Sequence, residues 1–201
     1  MDTYFTLKKA LTGEFRDKGS RFLSYAQAVL TEADIKEFLN SIKEIHPKAT
    51  HHCYAYRLGM DKYKYRANDD GEPSGTAGKP ILGQIDSKGL TNTMVIIVRY
   101  FGGTKLGVPG LINAYKTSTR EILENAPLIE KTIKDYYELS FDYVQMNEVM
   151  RVLKREKVKI LHQDYDKNCK LHISIRQRDV EKLVKQLEII QTLSTKFIYT
   201  A

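Results

Sequence analysis

The 201-residue sequence predicts an α+β fold in two domains. Three observations lead there. Apolar spacing switches repeatedly between the two-residue period of strands and the 3.6-residue period of helices. The longest apolar run, Met94-Val95-Ile96-Ile97-Val98, has no polar face and predicts a strand covered on both sides. In the last third, strand, helix, strand, strand, helix and strand follow one another within about 65 residues, the order of a ferredoxin-like unit.

Along the chain, Gly13 to Val29 reads as two strands around a Lys18-Gly19 turn. Thr31 and Asp34 make a capping-box-like start for a helix from Thr31 to His46. Its apolar face is Ile35, Phe38, Leu39, Ile42 and Ile45, and Pro47 stops it. His52 to Leu58 and Thr93 to Arg99 are strands. A helix carrying Ala77, Ile81, Leu82 and Ile85 lies between them, with Gly89 placed as its C-terminal cap. Leu111, Tyr115, Ile122 and Leu123 mark the next helix. In the last third, Tyr137, Leu139 and Phe141 alternate as a strand, and Met146, Val149, Val152 and Leu153 share a helical face. A strand Val158–Tyr165, a turn at Asp166-Lys167-Asn168 and a strand Cys169–Arg176 follow. A helix over Val180, Leu183, Val184 and Leu187 and a strand from Leu193 to Tyr199 complete the chain. Pro127 and the polar stretch Glu130 to Lys134 place the boundary, giving domains 1–130 and 135–201.

Composition narrows the function. The apolar content is that of a globular chain, no run is long enough to span a bilayer, and the N-terminus has no secretory pattern. Cys53 and Cys169 lie far apart and read as reduced packing residues. A cytoplasmic protein without membrane contact is expected. The formal net charge of +7 and a pI near 9.2 favour anionic partners. Adjacent strand positions send His51 and His52 to opposite faces, which does not make a zinc site, and no Ser–His or Cys–His catalytic pair can be argued.

Two segments carry the candidate chemistry. The first contains Asp69, Asp70 and Glu72 in an acidic, turn-rich stretch that leads through glycines to Lys79 at a helix start. These carboxylates suit either a divalent cation, by a spacing unlike an EF-hand, or hydrogen bonds from the glycine-rich backbone; the metal question stays open. The second segment runs from Arg99 through Gly102, Gly103, Thr104, Lys105 and Gly107 to Gly110, leaving the buried strand for a helix. Amide groups at such a turn, the positive helix end and the cations Arg99 and Lys105 suit an anion. The same glycines equally suit close packing. The spacing matches neither a phosphate-binding P-loop nor a dinucleotide turn.

These two segments, Asp69-Asp70-Gly71-Glu72-Pro73-Ser74-Gly75-Thr76-Ala77-Gly78-Lys79-Pro80 and Val98-Arg99-Tyr100-Phe101-Gly102-Gly103-Thr104-Lys105-Leu106-Gly107, closely resemble those of the YigZ/Impact family in its bacterial two-domain form. The resemblance implies a first domain with the fold of the second domain of a small-subunit ribosomal protein, elongation factor G and the GHMP kinases. It also implies a ferredoxin-like second domain as in elongation factor G. Eukaryotic relatives are linked to translational control. Two departures stand out: Pro109 where a glycine is common, and Asn113 where a basic residue commonly precedes Ala114-Tyr115. The asparagine removes one candidate phosphate contact.

Together these features predict a non-catalytic, cofactor-free, translation-associated protein that contacts RNA, the ribosome or a translation factor. The alternative is an enzyme for a small phosphorylated or nucleotide ligand that uses the acidic and glycine-rich loops. No stacking pair of aromatic residues is evident in the second domain, where Lys170, His172, Ser174 and Arg176 make the polar face of a strand.

Overall fold

A computed structural model describes residues 2–60, 64–165 and 169–200. The turn expected at Asp166-Lys167-Asn168 lies outside the described residues. The architecture is mixed α and β, and the chain forms two compact units, divided between Lys131 and Thr132. One is Tyr4–Lys131; the other runs from Thr132 onward and includes the residues before Tyr4.

The first unit contains strands β1 (Thr3–Leu7), β2 (Leu11–Asp17) and β3 (Ser20–Ala28), helix α1 (Glu32–Ile45), β4 (His51–Leu58), β5 (Lys64–Asn68), α2 (Gly78–Ser87), β6 (Thr93–Tyr100), α3 (Gly107–Glu124) and β7 (Leu128–Thr132). Five strands form an antiparallel sheet in the order β2-β3-β6-β4-β5. The β2–β3 turn places both Lys18 (φ 44°) and Gly19 (φ 79°) in the left-handed region, the two-residue hairpin geometry that matches strand twist. Thr31 caps α1 through a reciprocal box with Asp34.

β6 lies in the middle of this sheet and is apolar on both faces because both are covered. Met94, Ile96 and Val98 pack with Ile35, Phe38 and Ile42 of α1. Val95 and Ile97 pack on the opposite face with Ile81 and Ile85 of α2 and Leu111 and Ala114 of α3. Each of the five β6 side chains is fully buried, worth about 1.5–3 kcal/mol apiece in apolar transfer. Gly89 (φ 65°) ends α2, with the Leu90 N–H donating to the Ile85 carbonyl.

The polar stretch expected as a boundary overlaps the end of strand β7, which pairs with β1. Three strands escape period-based reading. β1, β5 and β7 are five residues each, and β5 and β7 are largely exposed, so their sequences carry little apolar alternation.

The second unit contains β8 (Lys134–Phe141), α4 (Met146–Arg155), β9 (Lys159–Asp164), β10 (Cys169–Arg176), α5 (Val180–Leu187) and β11 (Ser194–Thr200), in the expected β-α-β-β-α-β order. Its sheet has the order β11-β8-β10-β9. Leu139, Phe141, Leu171 and Ile173 pack with Val149, Leu153, Leu183 and Leu187 of the helices. Cys53 and Cys169 are both free thiols, buried in separate cores.

Candidate functional site

β5 and β6 run in the same direction, so α2 and α3, which follow them, both begin at one end of the sheet. The acidic segment and the glycine-rich turn are the chain leading into those two helices. Glu72 joins them. Its Oε1 accepts hydrogen bonds from Arg99 Nη1 at 2.6 Å and from the Tyr115 hydroxyl at 2.8 Å, with the Glu72 side chain 3% exposed. The ring of His51 adds its Nε2 at 3.8 Å.

The other two carboxylates are committed to backbone. Asp69 accepts from the N–H groups of Gly75 (2.8 Å), Ala77 (3.0 Å) and Gly78 (2.8 Å), which fills the start of α2 with the protein's own negative charge. Burial alone raises the Asp69 carboxyl, but these three donors and nearby Lys79 outweigh it and hold its pKa below the ordinary value. Asp70 (φ 43°) accepts from the His52 N–H at 2.6 Å, and its carbonyl oxygen lies 2.7 Å from His51 Nδ1. The self-bonded reading of the acidic loop is therefore the one seen. Among the described residues, no three His, Cys, Asp or Glu side chains are placed to hold a metal ion.

Arg99 corrects the expectation of a cation beside Lys105 on an anion-binding surface. It is 5% exposed, paired to Glu72, with its guanidinium near the rings of Phe22 and Phe101. Alternation along β6 explains this: Arg99 falls on the same face as Val95 and Ile97, under the helices. Its Nε has no hydrogen-bond partner.

The glycine turn divides by role. A Cβ on Gly102 would lie 1.9 Å from the carbonyl carbon of Gly19, so this residue is a packing glycine, and its N–H donates to Ser20 Oγ at 3.3 Å. A Cβ on Gly110 would come within 3.1 Å of the Leu106 side chain. Gly103 (φ 86°) and Gly107 (φ 72°) supply left-handed backbone, and around Gly103 there is open space. Thr104 and Lys105 are exposed, as are Phe101, Val108 and Ile112. No side chain caps α3, whereas Asp69 already occupies the start of α2, where Lys79 is exposed.

Sequence reasoning missed three members of this cluster: Tyr115, Cys53 and Ser20. The Cys53 thiol lies 2.9 Å from the Asp69 carbonyl and 3.3 Å from the Tyr115 hydroxyl, and burial pushes both their pKa values up. The one signal available was Tyr115 itself, an aromatic hydroxyl on an otherwise apolar helix face, since a buried tyrosine usually finds a partner.

Comparison with known proteins places this geometry in context. The family model of the Impact N-terminal domain matches residues 18–123, which hold both loops. The chain is 35% identical over 179 residues to IMPACT family member YvyE of Bacillus subtilis, covering 89% of this chain and 82% of that one. It is 33% identical over 172 residues to IMPACT family member YigZ of Escherichia coli, covering 85% and 84%. A crystal structure described as that of a hypothetical protein superposes with a TM-score of 0.77 at 30% identity, covering 99% of this chain and 98% of that one.

Proposed function

The chain belongs to the IMPACT family, and from that premise we propose that it is a non-catalytic, translation-associated binding protein that meets RNA or the ribosome through the start of α3. The observation that carries this reading is the contrast between the two helix starts. The one at α2 is filled by Asp69; the one at α3 has no side-chain cap and an exposed Lys105 on a glycine turn. A phosphate there gains backbone donors, the helix dipole and a cation together. Exposed Phe101, Val108 and Ile112 extend the surface with apolar contact. The acidic loop, in this reading, is a clamp that fixes both helix starts, and its committed carboxylates disfavour the enzyme alternative. The finer fold assignments belong to the same proposal: the first unit as the fold shared with elongation factor G and the GHMP kinases, the second as ferredoxin-like.

Co-sedimentation with ribosomal subunits across a salt series tests this. Lys105→Ala is expected to weaken association and to shallow the salt slope by about one unit, the effect of one lost phosphate contact. Its melting temperature should hardly move, since Lys105 is exposed. An unchanged slope in Lys105→Ala sinks the α3 assignment.

A further inference from the structure

In the second unit α4 and α5 pack on one face of the sheet. Alternation sends Tyr137, Leu139, Leu171 and Ile173 to that face and Tyr136, Glu138, Lys170 and His172 to the other. Register assembles this second face from all four strands. Tyr199 lies opposite Tyr136, Lys196 opposite Glu138, Glu138 opposite His172, and His172 opposite His162. The rings of Tyr136 and Tyr199 stack, with centroids 4.3 Å apart and 15° between their planes, and Tyr199 is 50% exposed. His172 Nε2 is 3.1 Å from Glu138 Oε2, and its ring centroid is 5.8 Å from that of His162. Lys159, Lys170 and Lys196 are exposed on the same face, against the carboxylates of Glu138 and Asp164.

We infer that this face is a binding platform for single-stranded RNA. A stacked tyrosine pair offers a flat apolar surface that a nucleobase extends by one layer, and such stacking is tolerant of base identity. The lysines around it suit the phosphates that accompany each base, and His162, His172 and Glu138 can hydrogen-bond base edges. A duplex keeps its bases stacked inside and cannot use the tyrosines. An acidic peptide would satisfy the lysines but leave the ring stack without a partner. The inference deepens the proposed function, resting on its reading that the chain meets RNA, but it locates a site separate from the α3 start.

The test is fluorescence anisotropy of the full chain with a short labelled oligoribonucleotide of mixed sequence and with a duplex RNA of the same length. The single strand should bind, with the duplex at least about tenfold weaker. Tyr199→Leu and Tyr136→Leu should each lower affinity by about tenfold or more, as removal of a stacked ring does, while Tyr199→Phe keeps wild-type affinity. Tyr199 is half exposed on an edge strand, so Tyr199→Leu reads the site even if Tyr136→Leu does not fold. Equal binding of duplex and single strand, or leucine variants that bind as the wild type does, overturns the inference. Lys105→Ala separates the two claims. Loss of ribosome association in Lys105→Ala with unaltered oligonucleotide affinity in Tyr199→Leu leaves the α3 reading standing and removes the platform; the opposite pattern removes the α3 reading alone.

Discussion

Glu72 is the residue on which the first unit's two loops depend. A buried carboxylate is expensive to desolvate, and here one arginine and one tyrosine hydroxyl offset that cost. Arg99 in turn has a buried Nε without a hydrogen-bond partner, and its remaining hydrogen bond, from Nη2 to Ser20 Oγ at 3.4 Å, is to a neutral group that leaves its charge uncompensated if Glu72 is removed. Glu72→Gln keeps a hydrogen-bond acceptor but leaves the arginine charge uncompensated. It should destabilise the protein by about 3–5 kcal/mol. Replacing both partners with methionine should recover much of that loss, because no charge is then left buried. Urea unfolding of Glu72→Met, Arg99→Met and the double checks this. A double variant no more stable than the sum of the singles would show that the pair is not coupled.

At the scale of elements, α2 and α3 are positioned by glycines that do different work. Gly102 lets the end of β6 pass against the β2–β3 turn, where any side chain meets Gly19 backbone. Gly103, the next residue, has open space and needs only its left-handed φ of 86°. Alanine at the two positions should therefore differ sharply. Gly103→Ala carries the backbone penalty alone, about 1–2 kcal/mol. Gly102→Ala must push two backbone segments apart and should lose cooperative folding or several times that amount. Thermal melts of both variants make the comparison; similar losses at the two sites would refute the division of roles. Gly78 resembles Gly102, since a Cβ there would come within 2.4 Å of the Asn68 nitrogen as α2 crosses β5.

For the whole molecule, the consequence is that the two units have separate hydrophobic cores, the first with one on each face of its sheet and the second with one between its sheet and helices. Ile97 is fully buried in the first unit and Leu171 in the second. Truncating either to alanine should cost about 2–5 kcal/mol. Hydrogen exchange should then show protection lost within the unit that contains the change and largely kept in the other. If Leu171→Ala lowers protection equally across Tyr4–Lys131, the chain unfolds as one cooperative body. Among the described residues no helix is long and apolar enough to cross a membrane.

The strands and helices whose one face or both faces meet a core could be read from the chain, because burial imposes a period that survives in the sequence. The doubly covered run Met94 to Val98, helices α4 and α5 and strand β10 belong to this class, while the Thr31–Asp34 box and the Lys18-Gly19 turn were legible through local cap and turn chemistry instead. The loop motifs were equally visible and named the family. What the period does not carry is pairing across sequence distance. Nothing local links Glu72 to Arg99, 27 positions away, or to Tyr115, 43 away, so Arg99 looked like a surface cation until folding placed it under α2 and α3. The same holds for Tyr136 and Tyr199. They stand 63 positions apart, near opposite ends of the last third, each beside other aromatic residues, and only β8–β11 register stacks these two. Local periodicity reports whether a side chain is buried; which distant partner it meets depends on strand order, and that is set by the fold as a whole.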